Sequence, residues 1–249
     1  ADTLFAGVYE KLQEKGITLD VAGGNEFQAG YGNKSGKNLP YASDPDSSTL
    51  GEPGSFAPVV TVASIENARN GANGNYKMSD FSSWGVSPDM RLKPEVTAPG
   101  GNIYSSVPGG GYKMMSGTSM ATPQMTGASA VVLERVQNDP LFSSLNDRQK
   151  VDVVQNLIMG TAVPVVDPGQ GGGAYYSPRK QGAGLANLEA ATNSSVYPTV
   201  NGATDASRPK ADLGDGTNGW HFDVTLHNVS DTPATYELSS QALSENIEG

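Results

Sequence analysis

The 249-residue sequence contains no cysteine and only two histidines. The absence of cysteine excludes disulfides, thiolate zinc sites, iron–sulfur clusters and a cysteine nucleophile. Two histidines leave little material for a histidine-rich metal site. The sequence also has no run of roughly 20 apolar residues, the length that a membrane-spanning helix needs. We therefore expect no membrane span in this chain.

Basic residues are scarce as well: Lys and Arg number 16 against 26 Asp and Glu, which gives a net charge of −10. Nucleic-acid binding needs clustered Lys and Arg to displace counterions, so we expect no nucleic-acid partner. What the chain has in quantity is 31 Gly and 16 Pro, which favour a loop-rich fold over a helical bundle. Its length is sufficient to bury a sizeable core.

Residues 1–63 predict an α/β arrangement. Residues 1–15 carry apolar side chains at helical spacing and are followed by Gly16, which is typical of a helix C-terminus. Residues 17–22 and 59–63 are short, mostly apolar segments of the kind found in buried strands. A helix, a tight turn and a buried strand form an α/β unit, and such strands tend to be parallel.

Two longer helices are predicted in the middle of the chain. One covers residues 147–159, with Asn146 as its N-cap. The other covers residues 119–136, and its predicted apolar stripe consists of Ala128, Val131, Val132 and Val136.

Residues 193–249 show no helical pattern. Within them, 220–226 and 234–238 are predicted to form a β-hairpin around a turn cluster. Fewer than 60 residues are too few for a β-sandwich of roughly 100 residues. We therefore interpret this part of the chain as a partial all-β module.

Residues 116–123 are the most informative for chemistry. Gly117 permits unusual backbone geometry, Thr118 is able to cap the following helix, and Ser119 then lies in its first turn. Free N–H groups and the positive end of the helix dipole favour a developing negative charge there. Pro123 removes a helical hydrogen bond close to this serine. From the residues alone, a reactive serine and an ordinary capped helix with an incidental serine both remain open.

Residues 117–123, Gly-Thr-Ser-Met-Ala-Thr-Pro, closely resemble the nucleophile motif of the subtilisin-like serine proteases. Residues 21–26 resemble the oxyanion-hole segment of that family. Residues 82–85 and 93–100 resemble the stretch that precedes its nucleophile, and residues 181–187 resemble the segment that closes its catalytic domain. These matches follow the order in which the family has them, so the chain is identified as a member of the subtilases.

Within the family, residues 78–85 are most similar to the lactocepin-type cell-envelope proteinases. The resemblance implies an α/β fold in which residues 1–192 are the C-terminal part of a subtilisin-like three-layer domain with a mostly parallel sheet. Residues 193–249 would be the start of a fibronectin type III-like β module. The protease-associated domain that the lactocepin group usually carries is expected to be absent near residues 66–79.

The resemblance implies a serine-type endopeptidase that hydrolyses peptide bonds through an acyl-enzyme, with a protein or peptide as substrate. Ser119 is the expected nucleophile, and Asn25 is the expected side-chain donor to the oxyanion. Glu26 either favours a basic substrate side chain at the rim of the first specificity pocket or is a solvated surface residue. The expected substrate-binding residues are Ala22, Gly23, Gly24 and Thr118.

The chain departs from the family in its catalytic base. The Asp and His motifs that the family places upstream of the oxyanion segment do not occur, and His221 and His227 both lie in the predicted β module. Because a serine without a general base is a weak nucleophile, we expect the isolated chain to be nearly inactive. It would pair with a missing N-terminal part of the same protease. The alternative is a non-catalytic binding or adhesion module on a protease-like scaffold.

No cofactor is expected for catalysis, and no metal ligand is assigned. Structural calcium, which many subtilases bind, remains a possibility, although no loop has calcium-binding spacing. The resemblance further implies an extracellular, secreted or cell-envelope location. The carboxylates considered for calcium are Asp44, Asp46, Glu66, Asp147 and Asp152.

Overall fold

The computed structural model of the chain describes residues 3–26, 49–67, 76–87, 89–169, 173–201, 208–213 and 219–241. Its helices are α1 (Thr3–Glu14), α2 (Thr118–Asn138), α3 (Asp147–Gly160), α4 (Pro178–Gln181) and α5 (Leu188–Asn193), with a 3₁₀ turn at Pro140–Phe142. Its strands are β1 (Asp20–Ala22), β2 (Val60–Glu66), β3 (Val96–Gly101), β4 (Ile103–Ser106), β5 (Tyr112–Met115), β6 (Val196–Asn201) and β7 (Asp223–Asn228).

The central sheet has the order β1-β2-β3, and both pairings are parallel. Asp20 is aligned with Val60, and Val62 is aligned with Val96. Strand β2 is buried along its whole length except at Glu66. A strand that is buried at successive positions is typical of a parallel sheet covered on both faces. The predicted α/β fold with parallel strands is confirmed.

Strand β1 lies at one edge of this sheet. In the described part of the chain it pairs with β2 alone. The backbone N–H and C=O groups on its other side can therefore accept a further strand. The carboxyl ends of β1 and β3, at Ala22 and Gly101, lie at the edge of the sheet where α2 begins.

Helix α2 packs on the sheet and on α3. The predicted stripe is right at Val132 and Val136, which are fully buried, and Ala128 packs partly against the same core. The stripe is wrong at Val131, which is 44% exposed, because one residue rotates the side chain about 100° around a helix. The buried face consists of Thr118, Ala121, Met125, Ser129, Val132 and Val136.

The predicted helix ends are confirmed at two places. Gly16 follows α1 in the left-handed region, with φ of 73°. Asn146 caps α3 in a capping box: its side chain accepts from the N–H of Gln149 at 3.0 Å, and its own N–H donates to the Gln149 side chain at 3.0 Å. This reciprocal pair satisfies two of the free donors at the helix start.

The β-hairpin predicted near the C-terminus is wrong, because its first strand pairs with a different strand from the one predicted. Strand β7 forms an antiparallel pair with β6, so that Tyr197 faces His227 and Val200 faces Val224. Residues 234–238 form no strand and are exposed. Strand β6 also packs on α3, because Pro198 lies against Gly160 at the end of that helix. Local sequence patterns do not reveal a strand partner that lies more than twenty residues earlier in the chain.

The residues just before β3 form a buried cluster of charges. Lys93 and Glu95 are fully buried, with 2.9 Å between Lys93 Nζ and Glu95 Oε2. Lys210 Nζ lies 3.0 Å from Glu95 Oε1, and Arg208 Nε lies 3.8 Å from the same atom. The N–H of Thr61 donates to Glu95 Oε2 at 2.7 Å. The carboxylate therefore ties β2, β3 and residues 208–210 together.

The cluster shifts the pKa values of its members. Burial alone would raise the pKa of Glu95, but the charges of Lys93, Lys210 and Arg208 outweigh burial and hold it at about 2. Burial lowers the pKa of Lys93, and the Glu95 carboxylate opposes that shift. Glu95 is thus an anion surrounded by cations in the interior, an arrangement that requires every partner to be present.

Candidate active site

The start of α2 places Thr118 and Ser119 at the carboxyl edge of the sheet. Gly117 is the N-cap residue and Thr118 is the first helical residue. The prediction that Thr118 caps the helix is wrong, since no side-chain cap is formed. Its hydroxyl instead accepts the N–H of Gly24 at 3.1 Å and donates to Asn25 Oδ1 at 2.9 Å. The threonine therefore joins the helix start to the segment that follows β1.

The side-chain amide of Asn25 has a defined orientation. Its Oδ1 accepts from both the backbone N–H and the hydroxyl of Thr118, each at 2.9 Å. Because the backbone N–H of Thr118 can only donate, the amide atom that it contacts must be the oxygen. The amide nitrogen lies on the opposite side, where a Cβ atom on Gly117 would be 3.2 Å from Asn25 Nδ2.

Ser119 is exposed and lies in the first turn of α2. The N–H of Thr118 is taken by Asn25, and the N–H of Met120 bonds to Gly117 O at 2.9 Å. Within the described residues, the N–H of Ser119 has no backbone acceptor outside the helix, as expected for a donor in a first turn. The Asn25 amide nitrogen and the Ser119 N–H are thus two donors at the same helix start.

The segment that carries Asn25 is fixed by main-chain hydrogen bonds. The N–H of Gly23 donates to Val62 O at 3.0 Å, and the N–H of Ser83 donates to Gly24 O at 2.9 Å. The N–H of Glu26 donates to Ser83 Oγ at 3.0 Å. Since bonds from β2 and from residue 83 hold the backbone on both sides of Asn25, its side chain has a rigid base.

The small size of Gly23 and Gly24 is required by packing inside the protein. A Cβ atom on Gly24, whose φ is +112°, would lie 2.8 Å from Ser83 Oγ, and one on Gly23 would lie 3.3 Å from Val62 O. Ala22 is half-buried at the end of β1. Other protein atoms therefore occupy the space where a Cβ atom of either glycine would lie. Any free space next to these two residues borders only their backbone.

Gly100 allows the start of α2 to lie directly on β3. A Cβ atom there would clash with Ser64 Oγ and would lie 2.6 Å from Gly117 O. The N–H of Gly117 donates to Gly100 O at 2.9 Å. Gly100 is part of a recognised motif, but its contact with Gly117 could not be read from sequence spacing.

A cavity of about 310 Å³ lies beside Ser119, between α2 and the β4–β5 hairpin. The sequence did not predict it, because the two sides of the cavity come from a hairpin and a helix that no local pattern brings together. Its lining includes Ile103, Ser105, Lys113, Met115, Ser119 and Met120.

Neither histidine contacts the helix start. His221 is exposed and lies 3.4 Å from Asp223. The ring of His227 stacks on Tyr197 at 4.8 Å and hydrogen-bonds to Thr199 Oγ1 at 2.8 Å. Both sets of contacts belong to the region of β6 and β7, away from the start of α2.

No group of three or more acidic or histidine side chains suited to a metal ion occurs among the described residues. Asp44 and Asp46 lie outside them. Asp152 is paired with Arg148 at 3.0 Å, and Glu66 accepts from Asn102 at 3.3 Å. In the same part of the chain, no helix is both long and apolar enough to cross a membrane.

Residues 6–201 match the family model of the subtilases. The chain belongs to the subtilase family. The match begins within α1 and ends at the last residue of β6, so it includes the sheet, α2 and the Asn25 segment.

This subtilase is similar to known bacterial proteinases. It is 30% identical over 173 residues to C5a peptidase of Streptococcus pyogenes, covering 70% of this chain and 14% of that protein. It is 33% identical over 187 residues to the PIII-type proteinase of Lactococcus lactis subsp. cremoris, covering 73% of this chain and 9% of that protein. The Lactococcus match confirms the predicted resemblance to the lactocepin type. The chain spans less than a sixth of the length of these relatives.

Solved structures of subtilases share the fold. The patellamide maturation protease PatA has a TM-score of 0.54 and 26% identity, with 77% of this chain and 56% of that chain covered. The prenylagaramide maturation protease PagA has the same TM-score at 24% identity, with 77% and 55% covered. Because the identity to PagA is low, the similarity to that protein shows a shared fold and nothing more.

Proposed function

We propose that this chain carries the nucleophile and the oxyanion donors of a serine endopeptidase. The observation that supports it best is the orientation of Asn25, whose amide oxygen is held by Thr118 while its nitrogen lies beside Gly117, two residues before Ser119. Family membership supports a serine peptidase in general terms. The roles of individual residues are proposed from the geometry of this site.

In the proposed reaction, Ser119 Oγ attacks the carbonyl carbon of a peptide bond, and the carbonyl oxygen becomes an oxyanion. Asn25 Nδ2 and the Ser119 N–H donate to that oxyanion. A general base takes the proton of Ser119 Oγ during the attack and gives it to the leaving amine as the C–N bond breaks. Water then hydrolyses the ester of the acyl-enzyme and restores Ser119. Donors that are already oriented stabilise the charge without rearranging, which is why loss of one such donor in subtilisin costs about 10²–10³-fold in turnover.

The backbone of Ala22, Gly23 and Gly24 would form one wall of the pocket for the acyl-side residue, next to Thr118. The wall is rigid, because the hydrogen bonds of Gly23 and Gly24 tie it to β2 and Ser83. Glu26 follows this wall and would favour a basic substrate side chain at its rim.

The general base would come from outside these 249 residues, because both histidines have their contacts near β6 and β7. Without a base, Ser119 remains a weak nucleophile and the isolated chain should be nearly inactive. The unpaired side of β1 offers a place where a further segment, which would be the N-terminal part of the same protease, can join the sheet.

The proposal extends to the organisation of the protein. Residues 1–192 would be the C-terminal part of the peptidase domain and residues 193–249 part of a fibronectin type III-like module, with no protease-associated insertion near 66–79. The enzyme would be extracellular, secreted or attached to the cell envelope, as the lactocepin resemblance implies. Catalysis would need no cofactor, and structural calcium is not assigned to any residue.

A serine-directed phosphonate probe tests the proposed function. It should label Ser119 in the longest natural protein that contains this chain, and Ser119→Ala should abolish both labelling and peptide hydrolysis. The 249-residue chain alone should react at least about a thousandfold more slowly, since it lacks a base. An intact protein that hydrolyses peptides but is not labelled at Ser119 would refute the assignment.

A non-catalytic binding or adhesion module is the second candidate, because the family's Asp and His motifs are absent from this sequence. The residues encoded before Ala1 separate the two. Both motifs upstream would dismiss the binding module, whereas an upstream region without them would support it.

A further inference from the structure

The cavity beside Ser119 lies on a flank that the Asn25 segment does not reach. It is bounded by the β4–β5 hairpin and the first turns of α2. Residues 22–26, all described by the structure, contribute nothing to its lining. Ser119 therefore has two distinct flanks, one formed by the segment after β1 and the other by the hairpin.

A peptide bond attacked by Ser119 has an acyl side and a leaving-group side. The proposed function assigns the acyl side to the flank of Ala22–Gly24. The hairpin flank is then the leaving-group side, and its volume of about 310 Å³ is enough for a side chain. The substrate residue that follows the scissile bond would place its side chain there.

One face of the hairpin determines the chemistry of this cavity. Ile103 is paired with Met115, and Ser105 is paired with Lys113, so these four side chains share a face. The two apolar residues, together with Met120 of α2, give the cavity an apolar floor. The hydroxyl of Ser105 and the ammonium of Lys113 add polar groups next to that floor.

Lys113 is the only charged residue that lines the cavity in the described part of the chain. It is exposed, and no ion pair occupies it among the described residues. The chain as a whole carries a net charge of −10, which repels acidic peptides in general. The cation of Lys113 therefore attracts negative charge at one place beside Ser119, although the chain as a whole repels it. This local attraction can make one substrate position prefer an acidic side chain.

We propose that this cavity receives the side chain of the first substrate residue after the scissile bond, and that Lys113 makes it select an acidic side chain, glutamate in particular. The apolar floor contacts the methylene groups of the glutamate, while the ammonium of Lys113 contacts its carboxylate. The inference rests on the proposed peptidase function and adds a substrate preference to it. Lys113 acts on substrate recognition, not on the bond-breaking step.

The test uses the longest natural protein that contains the chain, with three peptides that differ only in having Glu, Gln or Lys after the scissile bond. The parent should favour Glu over Gln by about 2- to 5-fold in kcat/KM, the range of an exposed ion pair. Lys113→Gln should remove this preference, and Lys113→Glu should reverse it in favour of Lys. Higher salt should weaken the parent's preference.

Lys150→Glu is the matched control, because it makes the same change of charge on α3. It should leave the order of the three peptides unchanged. If the parent and Lys113→Glu cleave the peptides with the same order of preference, the Lys113 proposal is overturned while the peptidase function stands. If the intact protein neither cleaves any peptide nor reacts with the phosphonate probe, the proposed function fails and this inference fails with it.

Discussion

The two ends of strand β3 contain polar clusters of opposite kinds. At the amino end, Lys93 and Glu95 are fully buried, and Glu95 is surrounded by partners within 3.8 Å. At the carboxyl end, Ser119 and Asn25 are exposed, and the Asn25 amide nitrogen lies beside Gly117 at the start of α2. The same sheet holds both clusters, but only the second is open to a ligand.

The two clusters contribute to different properties of the protein, one to its stability and the other to its proposed activity. A buried charge is tolerable when its partners are complete, and removing one partner then costs much more than the pair contributes. An exposed donor with a fixed direction contributes little to folding but is available for a developing charge. Changes at the amino end should therefore alter stability, and changes at the carboxyl end should alter activity.

The largest effect is expected for Glu95→Gln. This change leaves the buried Lys93 and Arg208, and the partly buried Lys210, without their anion. It should lower the free energy of unfolding by about 3–5 kcal/mol. Urea unfolding of the chain measures it. Glu134→Gln, on an exposed position of α2, should stay within about 0.5 kcal/mol of the parent. Similar losses in the two variants would contradict the importance of the buried cluster.

Asn25→Ala should produce the opposite pattern at the carboxyl end. Loss of the amide donor should lower kcat of the intact enzyme by about 10²–10³-fold, or about 3 kcal/mol of transition-state stabilisation. The urea midpoint should move less than in Glu95→Gln, because Asn25 is exposed and its loss leaves only the two donors of Thr118 without their acceptor. Unchanged kcat in a folded variant would remove Asn25 from the proposed oxyanion site.

Asp20 extends the comparison to the neighbouring strand β1. Burial raises its pKa from 3.8 to about 6, and hydrogen bonds with Thr126 and Ser129 oppose that shift. A carboxyl group with a raised folded pKa favours the fold when protonated, so its contribution is present below about pH 4 and is lost as pH rises towards 6.

Asp20→Asn should therefore gain stability relative to the parent as pH rises from 4 to 6, by up to about 2–3 kcal/mol. Unfolding midpoints measured across this range test the prediction. Asp231→Asn, at an exposed turn position, is the control and should track the parent. A constant difference between Asp20→Asn and the parent at all pH values would show that the carboxyl group is not held in its neutral form.

The smallest effect is expected for Thr118→Val, which keeps the shape of the side chain and the backbone donor to Asn25 but removes the hydroxyl. One of the two bonds that orient the amide is lost, so kcat should fall by about tenfold, as for one hydrogen bond, with KM nearly unchanged. Thr118→Ser should restore most of kcat. Equal rates for the valine and serine variants would mean that the hydroxyl does not position Asn25.

Local patterns in the sequence predicted much of the fold. The capping box of Asn146, the left-handed Gly16 and the buried strand β2 all depend on residues close together in the chain. The proximity of Asn25 and Ser119 followed from the family resemblance and not from spacing, because ninety-odd residues separate them.

The features that the sequence did not predict depend on distant partners. Lys210 reaches Glu95 across 115 positions, and β7 pairs with a strand that precedes it by more than twenty residues. Thr118 was predicted to cap its own helix, but its hydroxyl bonds to Asn25 in the segment that follows β1. Hydrophobic periodicity and capping rules describe neighbours along the chain and carry no signal for such contacts.

The most direct test of the central claim is a crystal structure of the intact protein with a peptide phosphonate bound covalently to Ser119. The account predicts that one phosphonyl oxygen lies about 3 Å from both Asn25 Nδ2 and the Ser119 N–H, with Asn25 Oδ1 still bonded to Thr118. A phosphonyl oxygen directed away from Asn25, or an Asn25 amide turned so that its nitrogen faces Thr118, would contradict it.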